Sequence, residues 1–386
     1  MANKRIIAVV TGTRAEFGLL RSVMHAIRSH PRLQLRTVVA GAHWVTGTWR
    51  DVRDGSDEGP GFQIDAKVTM QRRGQVGRGA DVQALARGVA GFGGVFGRMK
   101  PDFVVVLGDR VEAFAAASAA SVGGFRVAHI HGGDRAEGVA DEAMRHAISK
   151  LAHLHFPATA MSRRRLVKMG EAKERVINVG SPAIDVLRHS PTAPAPLTLI
   201  IVMQHPVGGS DARERGWMNA TLRATWTAYE HLAMHMPMLV MSPNRDPGSR
   251  GIRAAIDAFF RAYRRRFTAI SFAEHIEHLP RAQFLARLSC AGVIVGNSSA
   301  GLIEAAGLRV PCVNIGPRQV GREKPANVID CEYGEASVSR AIEQAFKLDL
   351  RRMRHPYGDG RAGERIAKIL ATVDLNAVSV RKRNVY

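Results

Sequence analysis

Short apolar runs recur along the chain, each followed by a turn and then by a stretch with helical spacing. Arg5–Val10, Gln34–Ala40, Phe103–Leu107 and Arg126–His131 read as strands. Phe103–Leu107 is unbroken and β-branched, as a strand buried on both faces requires. Helices are predicted from the turn Thr11–Gly18 to Ser29, and over Ala80–Met99 and Glu112–Val122. Asp51–Arg78 is polar and Gly-rich and reads as a long loop with one short strand, Phe62–Val68; Glu174–Val179 reads as a further short strand. Residues His189–Pro196, H-S-P-T-A-P-A-P, can continue neither a helix nor a central strand, so they form a linker.

The pattern then restarts. Strands are expected at Leu197–Met203, Pro237–Met241, Thr268–Phe272, Val293–Val295 and Cys312–Ile315. Helices are expected at Arg213–Met234, Ile252–Arg264, Arg281–Ser289, Ser299–Ala306 and Arg361–Ala371, and Arg381–Tyr386 is expected to fray. Strand–helix alternation implies parallel β-α-β units. The expected fold is α/β, with two doubly wound Rossmann-like domains facing a cleft. The boundaries are an N-terminal domain at residues 1–188, a linker at 189–196, a C-terminal domain at 197–360, and a helix and tail at 361–386.

Composition fits two domains: 386 residues with 46% apolar content can bury two cores. Three cysteines, odd in number and widely spaced, suit neither a disulfide framework nor a zinc knuckle and point to a reducing cytoplasm. The apolar run after Arg5 is too short for a signal peptide core, and no run approaches the ~20 residues of a membrane span. A soluble cytoplasmic protein with no membrane association is expected. The net charge of +21 fits nucleic acid, a phosphorylated substrate or an Arg-rich proteome. The clusters Arg163–Arg165, Arg264–Arg266 and Arg381–Arg383 are scattered and lack interleaved aromatics, which argues against nucleic acid.

Candidate chemistry concentrates in Val127–His155. A strand ends in His129 and His131, a Gly132-Gly133 turn follows, then Asp134, and a helix opens near Asp141. Glu142, Arg145, His146, Ser149, Lys150 and His153 share one stripe of that helix; Ala143, Met144, Ala147, Ile148, Leu151 and Leu154 take the face expected to be buried. The stripe is either a solvated face or one wall of a site, since open parallel sheets bind ligands at their carboxyl strand ends. The histidines, with Asp134, are structural, acid–base or, less readily, metal-ligating residues. Asp109, after Phe103–Leu107, is either a catalytic carboxylate or a helix cap. Arg14, in T-G-T-R-A-E-F-G, is either a phosphate ligand or a salt-bridge partner of Glu16 or Asp109.

In the second half, His205 follows the first strand at the position Arg14 holds in the first half, and Asn244 opens P-N-R-D-P-G after another strand. Gly296, Asn297, Ser298, Ser299 and Gly301 form a turn at a helix start, either an anion site or a capped helix. Arg318 follows the next strand.

These motifs, in this order, resemble the UDP-N-acetylglucosamine 2-epimerase family over about Lys4 to Lys368. The matches are G-T-R-A-E-F-G, G-D-R-x-E, H-I-H-G-G-D, D-E-x-x-R-H-x-I-x-K, Q-H-P, P-N-x-D-P-G, G-N-S-S-A-G-L-I-E and N-I-G-x-R-Q-x-G-R. The resemblance implies the glycosyltransferase-B architecture. The A-E-F-G ending, the R-H-x-I-x-K helix and the H-P dipeptide are similar to the hydrolysing branch, of the sialic and legionaminic acid pathway type. That branch converts UDP-GlcNAc, or UDP-2,4-diacetamido-2,4,6-trideoxyglucose, to a free manno-configured sugar and UDP, with no metal and no cofactor. Carried over by motif, Arg14 and the Gly296–Gly301 turn bind the diphosphate and Glu304 binds ribose. Asp109 and Asp141 match acid–base positions, and His205 matches the group that assists UDP departure. Arg145, His146, Asn244 and Arg318 join the substrate site. Many members carry an acid where this chain has His131, so His131 and Asp134 compete for one role. The family also implies a homodimer or homotetramer. A glycosyltransferase of the same fold, a metal hydrolase and a non-catalytic binder are the competing readings.

Overall fold

The computed structural model describes residues 4–56, 59–75, 77–135, 142–189, 199–231, 236–244, 246–266, 273–383 and 385. Asp141, most of the expected linker and the expected strand Thr268–Phe272 lie outside them. The chain divides into two compact units. The first comprises Met1–Asp134, Ala140–Arg188 and Pro356–Tyr386; the second comprises Arg135–Val139 and His189–His355.

Strands of the first unit are β1 (Arg5–Thr11), β2 (Leu33–Ala40), β3 (Ala66–Val68), β4 (Phe103–Leu107), β5 (Arg126–Ile130) and β6 (Leu154–Phe156). Its principal helices are α1 (Arg14–Ser29), α2 (Arg78–Met99), α3 (Val111–Val122), α4 (Glu142–Leu151) and α5 (Ala160–Lys168). The second unit contains β7 (Leu199–Met203), β8 (Met238–Met241), β9 (Ala273–Ile276), β10 (Ala291–Gly296), β11 (Cys312–Ile315) and β12 (Val328–Cys331). Its helices are α6 (Asp211–His231), α7 (Ser249–Arg266), α8 (Arg281–Ser289) and α9 (Glu335–Ala345). Helix α10 (Ala362–Thr372) belongs to the first unit.

Both six-stranded sheets are parallel and doubly wound, in the orders β3-β2-β1-β4-β5-β6 and β9-β8-β7-β10-β11-β12. The period of two explains how one run serves two cores. Ile7, Val9 and Val105 enter a cluster with Phe17 and Leu20 of α1 and Ile366 and Leu370 of α10. Ala8, Val10, Val104 and Val106 enter the opposite cluster with Phe92 and Phe96 of α2.

Departures from the sequence reading have local causes. Asp51–Arg78 is not a plain loop: Trp49–Asp54 is a helical turn, preceded by another at Ala42–Thr46, and its strand shrinks to β3. Trp44 anchors the first turn by donating its indole N–H to Val39 O at 2.8 Å, and it stacks on Trp49 with ring centroids 5.4 Å apart. Helix α4 stops at Leu151, because Leu154–Phe156 pairs with β5 as an edge strand; His153 therefore leaves the helical stripe, and Leu154 leaves the opposite face. Glu174–Val179 holds a 3-10 turn at Lys173–Arg175 and a single bridge from Val176 to His155. Ser299–Ala306 breaks into a 3-10 turn, Ser299–Gly301, and a short helix, Glu304–Gly307. Gly301 sits so close to Cys312 that an added Cβ would lie 2.3 Å from its Sγ, and Asn327 Nδ2 holds Gly301 O at 3.0 Å. Both β12 and α9 were absent from the sequence reading.

Candidate active site

In the first unit, the turn after β4 carries Asp109. Arg110, not Asp109, is the N-cap residue of α3, and its side chain makes no cap hydrogen bond. Asp109 instead pairs with Arg145 Nη2, while Arg145 Nη1 donates to Asp134 O at 2.9 Å. Arg145 and Ser149 are buried, whereas Ala143 is exposed and Met144 only half-buried. The sequence expectation for this helix is therefore reversed at those positions: much of the polar stripe faces inward because it has inward partners. Ser149 Oγ meets His129 Nδ1 at 3.1 Å, and His129 Nε2 meets Gly108 O at 2.7 Å. A carbonyl only accepts, so Nε2 carries the proton and Nδ1 accepts from Ser149. Burial pushes the His129 pKa down to about 3, so the ring is neutral.

His131 stands at the end of β5 with a left-handed φ of 63°. Its Nδ1 meets Asp134 Oδ2 at 2.9 Å and its Nε2 meets Ser181 Oγ at 2.9 Å; Ser162 Oγ donates to Asp134 Oδ1 at 2.7 Å. This Ser–His–Asp array is not a nucleophilic triad, because Ser181 is buried and its Oγ also accepts Ala183 N–H at 3.2 Å as a helix cap. His146 Nε2 lies 3.4 Å from Glu142, and its enclosed Nδ1 has no hydrogen bond among the described residues. Among the described residues no group of three or more His, Cys, Asp or Glu is arranged to hold a metal ion.

The turn after β1 is a capping box, legible in T-x-x-E. Glu16 Oε2 accepts Gly12 N–H and Thr13 N–H, both at 3.0 Å, and Glu16 N–H donates to Thr13 Oγ. These amides, which a turn at a helix start could offer to a phosphate, are thus taken by a carboxylate of the chain itself. Arg14 pairs with Asp51 at 2.9 Å, rather than with Glu16 or Asp109, and remains one-third exposed. Beside Glu16 lies Glu112, whose Oε1 accepts from Gln71 at 2.7 Å and whose buried Oε2 has no hydrogen bond among the described residues. Burial, then the Glu112 charge, raises the Glu16 pKa to about 7.

In the second unit, Gly296 ends β10 with φ +144°, and an added Cβ would lie 2.1 Å from Met203 O, so only glycine fits. Asn297 is a buried hub. Its Oδ1 accepts His205 N–H at 2.7 Å, its Nδ2 donates to His205 O at 2.8 Å, and its carbonyl accepts from Gln319 at 2.8 Å and Arg318 at 3.2 Å. Asn244 N–H donates to His205 Nδ1 at 3.1 Å, which leaves the ring proton on Nε2. Burial, reinforced by Arg318, lowers the His205 pKa to about 3. The Asn244 side chain donates to Asp246. Ser298 Oγ caps the 3-10 turn by accepting Ala300 N–H at 3.3 Å. Glu304 pairs with Arg281 at 3.0 Å. The structure thus brings Asp109, Arg145, His131 and Asp134 into one network, and His205, Asn297 and Arg318 with the backbone of Asn244 into another.

The UDP-N-acetylglucosamine 2-epimerase family model matches residues 25–371. The chain belongs to that family. A Legionella pneumophila relative named UDP-N,N'-diacetylbacillosamine 2-epimerase (hydrolyzing) is 32% identical, covering 99% of this chain and 100% of that protein. A Neisseria meningitidis UDP-N-acetylglucosamine 2-epimerase is 30% identical over 98% of each chain. A crystal structure of UDP-GlcNAc 2-epimerase from Neisseria meningitidis bound to UDP-GlcNAc superposes with a TM-score of 0.74, 18% identity, and coverage of 96% of this chain and 100% of that chain. That likeness fixes the glycosyltransferase-B fold of this epimerase-family chain. Ser181, Ser162 and Glu112 escaped the sequence reading. Glu112 stands inside G-D-R-x-E and was within reach of it; Ser162 and Ser181 are brought to Asp134 and His131 only by folding.

Proposed function

We propose that this chain is a hydrolysing UDP-2-acetamido-sugar 2-epimerase. It converts a gluco-configured UDP-sugar and water to the free manno-configured sugar and UDP. The observation that carries the reading is the Asp109–Arg145 pair joined through Asp134 to His131, in a chain of this family. Asp109 is held by a buried guanidinium yet is itself a fifth exposed, so it is both oriented and reachable. It takes the C2 proton as the C1–O bond to UDP breaks, which leaves the 2-acetamidoglycal. Water then adds at C1 while C2 is protonated on the other face. The His131–Asp134 pair is the candidate for that second proton; Asp134 fixes the tautomer, and Ser181 is the contact that substrate must displace.

Second-unit groups take the UDP: Arg318, the Gly296–Gly301 turn and, for ribose, Glu304 once it leaves Arg281. His205 assists departure as a neutral Nε2–H donor to the diphosphate, which supplies a hydrogen bond without a proton transfer. The 32% relative named for diacetylbacillosamine supports the 2,4-diacetamido sugar over UDP-GlcNAc. A 29% identical Escherichia coli relative named polysialic acid biosynthesis protein P7, covering 87% of this chain, supports a role in supplying nonulosonic acids of the sialic or legionaminic type. The test is incubation with each UDP-sugar in deuterated water, followed by NMR. Release of UDP and a manno-configured free sugar carrying deuterium at C2 is expected. Product with protium at C2 overturns the elimination route.

A further inference from the structure

The C-terminal tail, whose end at Arg381–Tyr386 is expected from sequence to fray, is bound along the first unit. Arg126 donates to Val378 O at 2.6 Å and Leu375 O at 2.8 Å, His153 Nε2 meets Val380 O at 3.1 Å, and Val385 N–H donates to Gly170 O at 2.9 Å. Val378 is buried in the β1–α1–α10 core cluster. Within this strap, Lys382 Nζ donates to Ser149 O at 2.9 Å and Lys150 O at 2.8 Å, two carbonyls in the last turn of α4. An ammonium there adds a donor to these carbonyls, of which Ser149 O also accepts Ala152 N–H at 3.2 Å, and complements the negative pole of the helix end. Lys382 also pairs with Glu171 at 2.6 Å, a buried carboxylate shared with Lys150 and His155, each at 2.9 Å. Burial alone would raise the Glu171 pKa, but these partners outweigh it and hold it at about 2, so the clamp stays charged.

Helix α4 grips the Asp109 turn twice. Arg145 pairs with Asp109 directly, and Ser149, whose carbonyl Lys382 holds, reaches Gly108 O through neutral His129. We propose that Lys382 is a positioning residue: from the C-terminal tail it locks the last turn of α4 and so sets Arg145 and the Asp109 turn for proton abstraction. The proposal rests on the reading of Asp109 given above.

Misplacement of a reacting group by about 1 Å can cost up to ~100-fold in rate, so Lys382→Met is expected to lower kcat about 10-fold per folded molecule. Substrate KM and UDP affinity, set largely by the second unit, should stay within about twofold, and Lys382→Arg should recover most of the rate because it keeps charge and donors. If Lys382→Met does not fold, Lys382→Gln, which keeps a donor for the carbonyls, is judged by the same kcat-to-KM split. Wild-type kcat per folded molecule, or equal damage to KM and UDP affinity, overturns the proposal. Asp109→Asn measured alongside separates the two ideas. An active Asp109→Asn removes the reading of Asp109, whereas an inactive one beside a fully active Lys382→Met removes the role of Lys382 alone.

Discussion

The first turns of the two units, after β1 and after β7, are built alike and end differently. Each is closed by a buried carboxylate from the first turn of the following helix. Glu16 accepts from Gly12 and Thr13, and Glu214 accepts from Val207 at 2.8 Å and Gly209 at 3.0 Å. Neither turn therefore offers those amides to a phosphate. What differs is the side chain each turn presents. The first unit presents Arg14, one-third exposed and paired with Asp51. The second presents His205, its backbone bonded on both sides by Asn297 and its ring held neutral by burial and by Arg318. A strand–turn–helix shape does not by itself make an anion site; occupancy of its amides decides, and the chemistry passes to neighbouring side chains.

The contrast extends to the wider sites. The first unit gathers a charged network, Asp109–Arg145–Asp134–His131, around a carboxylate, whereas the second gathers neutral donors and the Arg318 guanidinium around His205 and Asn297. Asp109→Asn probes that division most strongly. It should lower kcat at least ~100-fold, the lower range for loss of a general base, with UDP affinity unchanged and a lower melting temperature, because buried Arg145 loses its carboxylate. Equal loss of UDP affinity by calorimetry would dissolve the division between units.

Next in size is Ser298→Ala with Ser299→Ala, expected to weaken UDP binding by about 1–3 kcal/mol, the cost of lost hydrogen bonds to a charged group. Hydration of added 2-acetamidoglycal should be untouched. Unaltered UDP affinity would mean that Ser298 does no more than cap its 3-10 turn.

An effect of similar size concerns the carboxylate that closes the first turn. The Glu16 pKa is raised from 4.5 to about 7 by burial and then by Glu112, so between those values the folded chain binds a proton that the unfolded chain has lost. Its contribution to stability is full below about pH 4.5 and disappears as pH rises through about 7. Glu16→Gln, which still accepts the two amides, should remove about 1–3 kcal/mol of that pH dependence, given 1.36 kcal/mol per unit. Urea denaturation of both proteins at pH 5 and pH 8 checks this; identical slopes against pH would show that Glu16 folds ionised.

What the sequence determined on its own was whatever depends on spacing along the chain. The uninterrupted apolar run Phe103–Leu107 marked β4 because a strand buried on both faces tolerates little else. Alternation of strands with helical stretches implied two parallel, doubly wound units, and motifs at strand ends marked Asp109, His131, Asp134, His205 and Gly296–Gly301 as candidates. Tertiary structure decided each candidate's partners, because those contacts join residues far apart in the chain. Asp109 is no cap because Arg145 reaches it from α4; the stripe of that helix turns inward because Ser149 meets His129 and Arg145 meets Asp109. His155 sits on an edge strand because Ala128 pairs with Leu154. Lys382, in a charged tail that by composition alone should fray, is held because the end of α4 and Glu171 together need a cation, and no local pattern records a need supplied from 232 residues away.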